Sequence, residues 1–280
     1  MTNTPPLVAL SGIRKSFGAV HSLRGVSIDV MPGETFALLG DNAAGKSTLM
    51  KVLTGVYQPD EGTISFDGKP VRFPSPAVSR SHGIEMIYQD FALADNLDVR
   101  SNIYLGRELR KNFIGPLVRI LDNRKMEQET RRVLDALDIR INPRLKVKRL
   151  SGGQRQAVAI GRALAFDARL VIMDEPTANL SVAKVDKLIE VTQRLKELGI
   201  AVIIITHRLD EAFAVADRVA VMRQGEVVGR FNTADVTERQ IAHLISHGAM
   251  PEADPSTEAR ERRLIGSTQP VRVTTKAEES

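Results

Sequence analysis

Two periods of apolar residues run along the chain. Residues 8–10 and 26–30 show strand-like patterning, and Met31-Pro32-Gly33-Glu34 reads as a turn. Residues 35–39 are almost continuously apolar, as in a buried strand, and lead into a glycine-rich stretch at Gly40. Residues 63–66 and 69–71 flank Asp67-Gly68, a pair suited to the positive φ of a hairpin turn. The middle third reads as helical. Met126, Thr130, Val133, Leu134 and Leu137 recur at helical spacing, and Ser151 is placed to cap a helix running through Phe166. Residues 170–173 and 201–205 then read as buried strands. Between them Leu188, Val191, Leu195 and Leu198 mark an amphipathic helix ended by Gly199. Residues 218–222 and 227–231 form a hairpin about Gln224-Gly225. Strands with helices between them predict an α/β fold with an at least partly parallel sheet. From about Met250 the periodicity stops, and Pro, Glu, Ser, Thr and Arg predict a flexible tail over 250–280.

Composition narrows this picture. The chain has 280 residues, 42% hydrophobic and 26% charged, enough apolar material for a substantial core and too much for a disordered chain. No apolar run approaches the roughly 18 residues that span a bilayer, and the start of the sequence lacks the pattern of a secretion signal. The absence of cysteine excludes disulfides, thiolate metal sites and a cysteine nucleophile, and is in keeping with a cytosolic setting. The net charge of +5 is concentrated: residues 107–149 hold thirteen basic and six acidic side chains. That segment is either a solvated face or a surface held near anionic headgroups or a partner. Phe113 is its one aromatic residue, so the stacking that accompanies nucleic-acid binding is missing, and no nucleic-acid partner is expected.

Gly40-Asp41-Asn42-Ala43-Ala44-Gly45-Lys46-Ser47 fits G-x-x-x-x-G-K-[ST], the phosphate-binding loop of P-loop nucleotide triphosphatases. Backbone N–H groups must curl around a phosphate there, and the helix opened by Thr48 adds its own free N–H groups. Lys46 faces the β- and γ-phosphates, and the Ser47 hydroxyl ligates Mg²⁺. The strand at 170–173 ends in Asp174-Glu175. Asp174 can hold Mg²⁺ directly or through water, and Glu175 can act as general base on the attacking water. Leu150-Ser151-Gly152-Gly153-Gln154 lies 23 residues before Asp174; alone it would read as an ordinary Ser-capped helix.

With that last motif the sequence resembles the ATP-binding cassette family, whose signature is LSGGQ, over about residues 7–249. The resemblance implies a mixed-sheet P-loop core in two parts, 1–88 with an antiparallel β subdomain and 156–249. An inserted α-helical subdomain with the signature spans 89–155. It also implies further roles. Phe17 matches the aromatic that stacks on adenine. Gln89 matches the glutamine that touches Mg²⁺ and water and links to the transmembrane partner. His207 matches the histidine that contacts the γ-phosphate. In the family two cassettes close head to tail, so Ser151, Gly152, Gly153 and Gln154 of one copy cover the ATP held by Lys46 of the other. This chain carries one loop and one signature, so it is expected to pair with itself or a similar cassette.

The pattern departs from the family at two positions. Ala43 stands where a glycine is usual, and a methyl there crowds the phosphate or strains the loop. Ser181 stands where many members carry Asp at the dimer seam. Gly40-Asp41-Asn42, residues 102–108 and Asp122-Asn123-Arg124 look like bacterial importers of ribose, xylose and fructose, in a single-cassette version. The expected partners are therefore a separate membrane permease and, indirectly, a periplasmic sugar-binding protein. The expected location is the cytoplasmic face of the inner membrane. Phe113, Ile114, Leu117, Val118, Ile120 and Leu121 are expected to pack on the chain's own helices, with contact to the permease or headgroups as the alternative. The competing functions are a soluble cassette ATPase in DNA maintenance or translation and a nucleotide-binding regulatory subunit with weak turnover. The first would need long heptads or a second cassette, and neither is present in this sequence.

Overall fold

The computed structural model describes residues 4–88, 90–114, 118–176 and 185–251. Two sheets carry the architecture. In the first, β1 (Val8–Phe17), β2 (Val20–Val30), β4 (Glu61–Phe66) and β5 (Lys69–Val71) pair antiparallel in the order β2-β1-β4-β5. The second has the order β12-β11-β3-β10-β9-β6. Its strands are β3 (Thr35–Gly40), β6 (Ile84–Ile87), β9 (Leu170–Asp174), β10 (Ala201–Ile205), β11 (Arg218–Arg223) and β12 (Glu226–Asn232). All its pairs are parallel except β11 with β12, the hairpin about Gln224-Gly225.

The pleat explains why the central strands are apolar at every position. On β10, Ala201, Ile203 and Ile205 face the antiparallel sheet, while Val202 and Ile204 face the opposite layer. β9 divides likewise, Leu170 and Ile172 against Val171 and Met173. The first layer also receives Leu49 and Leu53 of α1 (Lys46–Leu53). The second is covered by Met126 and Leu134 of α4 (Asn123–Ala136), by Val158 and Ile160 of α5 (Gly152–Leu164), and by Leu188, Val191 and Leu195 of α6 (Val185–Glu197). Ala37 and Leu39 of β3 meet a third layer holding Ala212 of α7 (Leu209–Val215) and Ile241 of α8 (Glu238–His247). Two shorter helices, α2 (Pro76–Ser81) and α3 (Val99–Ile103), complete the described set. None of these helices is long and apolar enough to cross a membrane.

The helical reading of the middle third holds at α4 and α5, and the structure corrects it in one segment. Strands β7 (Arg110–Ile114) and β8 (Val118–Leu121) pair antiparallel, Arg110 opposite Leu121. Gly115-Pro116 stands between them, a pair that breaks a helix, and β-branched residues flank it. The expectation that this segment's apolar residues are buried also fails: Val118, Ile120 and Leu121 are 41%, 37% and 47% exposed. Leu117 and the side chains of Phe113 and Ile114 lie outside the described residues. A smaller correction concerns Leu198, which follows the end of α6 and is exposed, so the buried stripe ends at Leu195. The tail assigned to 250–280 falls beyond the described residues from 252 onward.

This contrast is measurable by urea unfolding. Ile203→Ala, at a fully buried central-strand position, should cost about 2–5 kcal/mol. Ile120→Ser on the exposed hairpin should stay within about 0.5 kcal/mol of the parent. A large loss for the hairpin variant would mean that its side chain is covered after all.

Candidate functional site

The glycine-rich loop begins where β3 ends, and its backbone is closely confined. A Cβ on Gly40 (φ +147°) would lie 2.2 Å from the Met222 carbonyl oxygen, and one on Gly45 (φ +103°) would lie 2.7 Å from that of Ser22. Side chains are thus excluded at both glycine positions of the motif, by positive φ and by neighbouring backbone. Gly45 precedes α1 and provides no side-chain cap, which leaves the first N–H groups of the helix free for an anion. Ala43 adopts φ +65°, the left-handed region that disfavours a Cβ, so the strain expected at this departure is present in the backbone. The hairpin turn braces the loop from outside: Gly225 N–H donates to the Ala44 carbonyl at 3.0 Å, and Arg24 N–H donates to the Gly225 carbonyl at 2.8 Å.

Lys46 is buried, and its Nζ donates to the carbonyls of Gly40 (2.6 Å) and Asp41 (2.8 Å). Burial draws its pKa down, while the carboxylates of Glu175, Asp41 and Asp174 oppose that shift. The arrangement of those carboxylates follows from strand register. Asp174 pairs with Ile205 on β10, and Ile205 pairs with Leu38 on β3, so all three sit level at the end of the sheet where the loop begins. Burial and the neighbouring Glu175 raise the Asp174 pKa, with Lys46 and Lys51 opposing. Glu175 has φ +45°, an uncommon conformation for a side-chain-bearing residue, and its N–H donates to the Ile205 carbonyl at 2.8 Å. Its Oε1 lies 3.2 Å from His207 Nδ1.

His207 leaves the end of β10 on a braced loop. Thr206 Oγ1 donates to Glu211 Oε2 at 3.1 Å and accepts from Arg208 N–H at 3.0 Å. Arg208 forms an ion pair with the buried Glu211, whose pKa is raised by burial and lowered in opposition by that arginine. Sequence reading did not single out Glu211; its only sequence signal is an acidic residue one helical turn beyond His207.

A cavity of about 450 Å³ joins Asn42, Ala43, Ala44, Gly45, Lys46, Ser47 and Thr48 to Asp174 and Glu175. Its far wall, formed by Val20, His21, Ser22, Arg24 and Gln224, was not foreseen, because strand pairing rather than local pattern brings it there. Ser22 Oγ hydrogen-bonds Thr48 Oγ1 at 2.9 Å. The Ser47 hydroxyl and the Asp174 carboxylate share this cavity, and both are hard oxygen donors. Burial and the adjacent Glu175 disfavour the ionised Asp174, a cost that a divalent cation held by these oxygens would offset, so this donor set fits Mg²⁺. A groove of about 430 Å³ lined by Val52, Glu61 and Phe73 contains none of the predicted site residues.

Other expected residues stand apart from this cavity. Phe17 is exposed at the end of β1 and does not line it. Ser151, Gly152, Gly153 and Gln154 open α5, where Ser151 and Gln154 cap one another: Gln154 N–H donates to Ser151 Oγ (3.3 Å), and Ser151 N–H donates to Gln154 Oε1 (3.1 Å). None of the four lines the cavity. Gln89 and Ser181 lie outside the described residues.

Comparison with known proteins places this geometry. Residues 23–178 match the family described as ABC transporter. The chain is 44% identical over 245 residues to a xylose/arabinose import ATP-binding protein of Sulfolobus acidocaldarius, covering 87% of this chain and 95% of that protein. It is 43% identical over 250 residues to a ribose import ATP-binding protein of Rubrobacter xylanophilus, covering 89% of this chain but 49% of that protein. The chain therefore spans about half the length of such ribose relatives. A solved ATP-binding cassette of an ABC transporter in its ADP conformation, MJ1267, superposes with TM-score 0.74 at 28% identity, covering 87% of this chain and 96% of that one.

Two substitutions test the site without substrate. Ala43→Gly relieves the left-handed strain and should stabilise the protein by about 1 kcal/mol, read as a higher urea midpoint at constant m value. Asp174→Asn should raise the melting temperature of the nucleotide- and metal-free protein at neutral pH. The sign follows from its raised pKa: ionisation of Asp174 disfavours the folded state, and acidification through that pKa relieves the cost. In the variant this gain on acidification should shrink. A lower melting temperature for Asp174→Asn would show that its electrostatic attraction to Lys46 outweighs burial.

Proposed function

We propose, from the premise that this chain belongs to the ATP-binding cassette family of ABC transporters, that it is the ATP-hydrolysing subunit of a monosaccharide importer. Two relatives bear names for sugar import, one for xylose/arabinose and one for ribose, and the identity to each extends over most of this chain. In this reading the sugar passes through a separate membrane permease fed by a periplasmic binding protein. The cassette works at the cytoplasmic face of the inner membrane.

The observation that carries the catalytic reading is the Glu175 carboxylate, positioned 3.2 Å from His207 and in one cavity with Lys46. ATP enters with its phosphates against the loop N–H groups, and Lys46 turns its ammonium from the Gly40 and Asp41 carbonyls toward the β- and γ-phosphates. Ser47 and Asp174, with Gln89, would hold Mg²⁺, which supplies charge neutralisation on the phosphate oxygens. Glu175 accepts a proton as the water oxygen bonds to the γ-phosphorus. The bond from that phosphorus to the β–γ bridging oxygen breaks, leaving ADP and phosphate. His207 orients Glu175 and meets the γ-phosphate. The retention of Lys46, Asp174, Glu175 and His207 in one place favours an active subunit over a regulatory one with weak turnover.

One copy supplies half of this site. Ser151 through Gln154 do not line the cavity that holds Lys46, which supports a head-to-tail pair in which each signature helix covers the other copy's ATP. ATP closes the pair, hydrolysis opens it, and that movement is passed to the permease through the helical segment after Gln89.

Glu175→Gln keeps the size of the side chain and removes the base. It should retain ATP binding, lower turnover by about 10²–10⁴-fold, and accumulate an ATP-dependent dimer in analytical ultracentrifugation. Undiminished hydrolysis would remove Glu175 from the mechanism, and a monomer at saturating ATP would remove the head-to-tail pair.

A further inference from the structure

An aromatic side chain serves as a nucleotide-base platform only if it is held at a fixed distance from the phosphate cradle. Phe17 has little means of holding itself there. It is the last residue of β1, 43% exposed, beside the Gly18-Ala19 turn. Pairing of β1 with β4 stops at Arg14 opposite Glu61, and pairing with β2 is irregular between Lys15 and Ser16. On the β4 side, strand support therefore gives out just before the ring, and after its irregularity β2 still pairs with Ser16 and Phe17 through His21 and Val20.

Asp60 takes over from the missing strand partner. Its N–H donates to the Arg14 carbonyl at 2.9 Å. One carboxylate oxygen accepts from Lys15 Nζ and the other from Ser16 N–H, both at 2.7 Å. Three successive residues leading to Phe17 are thus fixed by one side chain and its own backbone. Lys15 carries the constraint onward, with Nζ 5.6 Å from the Phe17 ring centroid. These donors hold the Asp60 carboxyl below the ordinary aspartate range.

Tyr57 fixes the ring itself. The Phe17 and Tyr57 centroids are 5.1 Å apart at 68°, an edge-to-face contact. Tyr57 is partly buried against the main core, and its N–H donates to the Lys51 carbonyl at 3.0 Å. Lys51 belongs to the last turn of α1, whose first turn carries Lys46 and Ser47. One short, rigid path therefore leads from the phosphate end of α1 through Tyr57 to Phe17.

We propose that Asp60 and Tyr57 are positioning residues that set the spacing between the base platform and the phosphate loop, Asp60 by holding the backbone before Phe17 and Tyr57 by holding its ring. The inference rests on the reading of Phe17 as the residue that meets adenine. Neither residue touches the nucleotide; both act through Phe17. Their loss should weaken only the part of binding that comes from the base.

The test compares the whole protein with its Asp60→Ala, Asp60→Asn, Tyr57→Leu and Phe17→Ala variants. Calorimetry gives affinities for the β,γ-imido analogue of ATP and for inorganic tripolyphosphate, and steady-state assays give KM and kcat for ATP. Asp60→Ala and Tyr57→Leu should weaken the ATP analogue about tenfold and raise KM similarly, with kcat within about twofold and tripolyphosphate affinity unchanged. Asp60→Asn, which retains one acceptor oxygen, should fall between. Equal losses for the analogue and tripolyphosphate would reduce both residues to general structural support. Weakened analogue binding in Phe17→Ala without any change in Asp60→Ala and Tyr57→Leu would overturn the positioning role alone. Unchanged analogue binding in Phe17→Ala would overturn the base-platform reading and this inference with it.

Discussion

The site depends on one buried ammonium group. Lys46 is removed from water and would be costly as an isolated charge, so it must be solvated by the protein. Two loop carbonyls do this at 2.6 and 2.8 Å, and the carboxylates of Glu175, Asp41 and Asp174 supply the compensating field. The carboxylates need Lys46 in turn, because Asp174 is half-buried beside Glu175 and its ionised form is already disfavoured. The site is a small charge balance, and on the proposed reading a triphosphate and a divalent cation would alter both sides together: negative oxygens would draw Lys46 off the carbonyls, and positive charge would relieve Asp174.

Strand order makes that balance possible. The loop follows β3 and the carboxylates follow β9, with β10 between them. Parallel register brings Leu38, Ile205 and Asp174 level across these strands, although they are far apart in sequence. A register slip would turn alternate side chains to the wrong layer and separate the carboxylates from the loop. Because each central strand is buried on both faces, such a slip would also disturb two apolar layers. Core packing and catalytic alignment are therefore held by the same residues.

Local chemistry could be read from sequence wherever it was written in consecutive residues. Gly40 and Gly45 were expected because phosphate cradling requires glycine there, and the structure adds the backbone atoms that exclude a side chain. The Asp67-Gly68 and Gln224-Gly225 turns were readable for the same reason. Constraints that cross the chain were not readable. The wall at His21, Ser22 and Arg24 reaches the loop by sheet pairing, and Glu211 acts on the His207 loop through Thr206. The β7–β8 hairpin was missed because its apolar residues were assumed to need burial. Val118, Ile120 and Leu121 instead form a strand edge facing solvent, where periodicity carries no information about a core.

The signature segment shows how a local motif can be complete and still leave a site unfinished. Ser151 and Gln154 satisfy each other in a capping box, and Arg155 pairs with Asp95 at 2.8 Å, so the start of α5 is held by the chain's own contacts. Gly152 and Gly153 follow Ser151 without side chains that could obstruct an approaching phosphate. An anion meeting this helix end would add to an existing arrangement, at little cost in ordering. Among the described residues, none of Ser151 to Gln154 lines the cavity around Lys46. In the proposed head-to-tail pair a second copy would resolve both features at once: each subunit would bring a preformed helix end to the other's phosphates, and the energy of ATP binding would be expressed as closure between subunits.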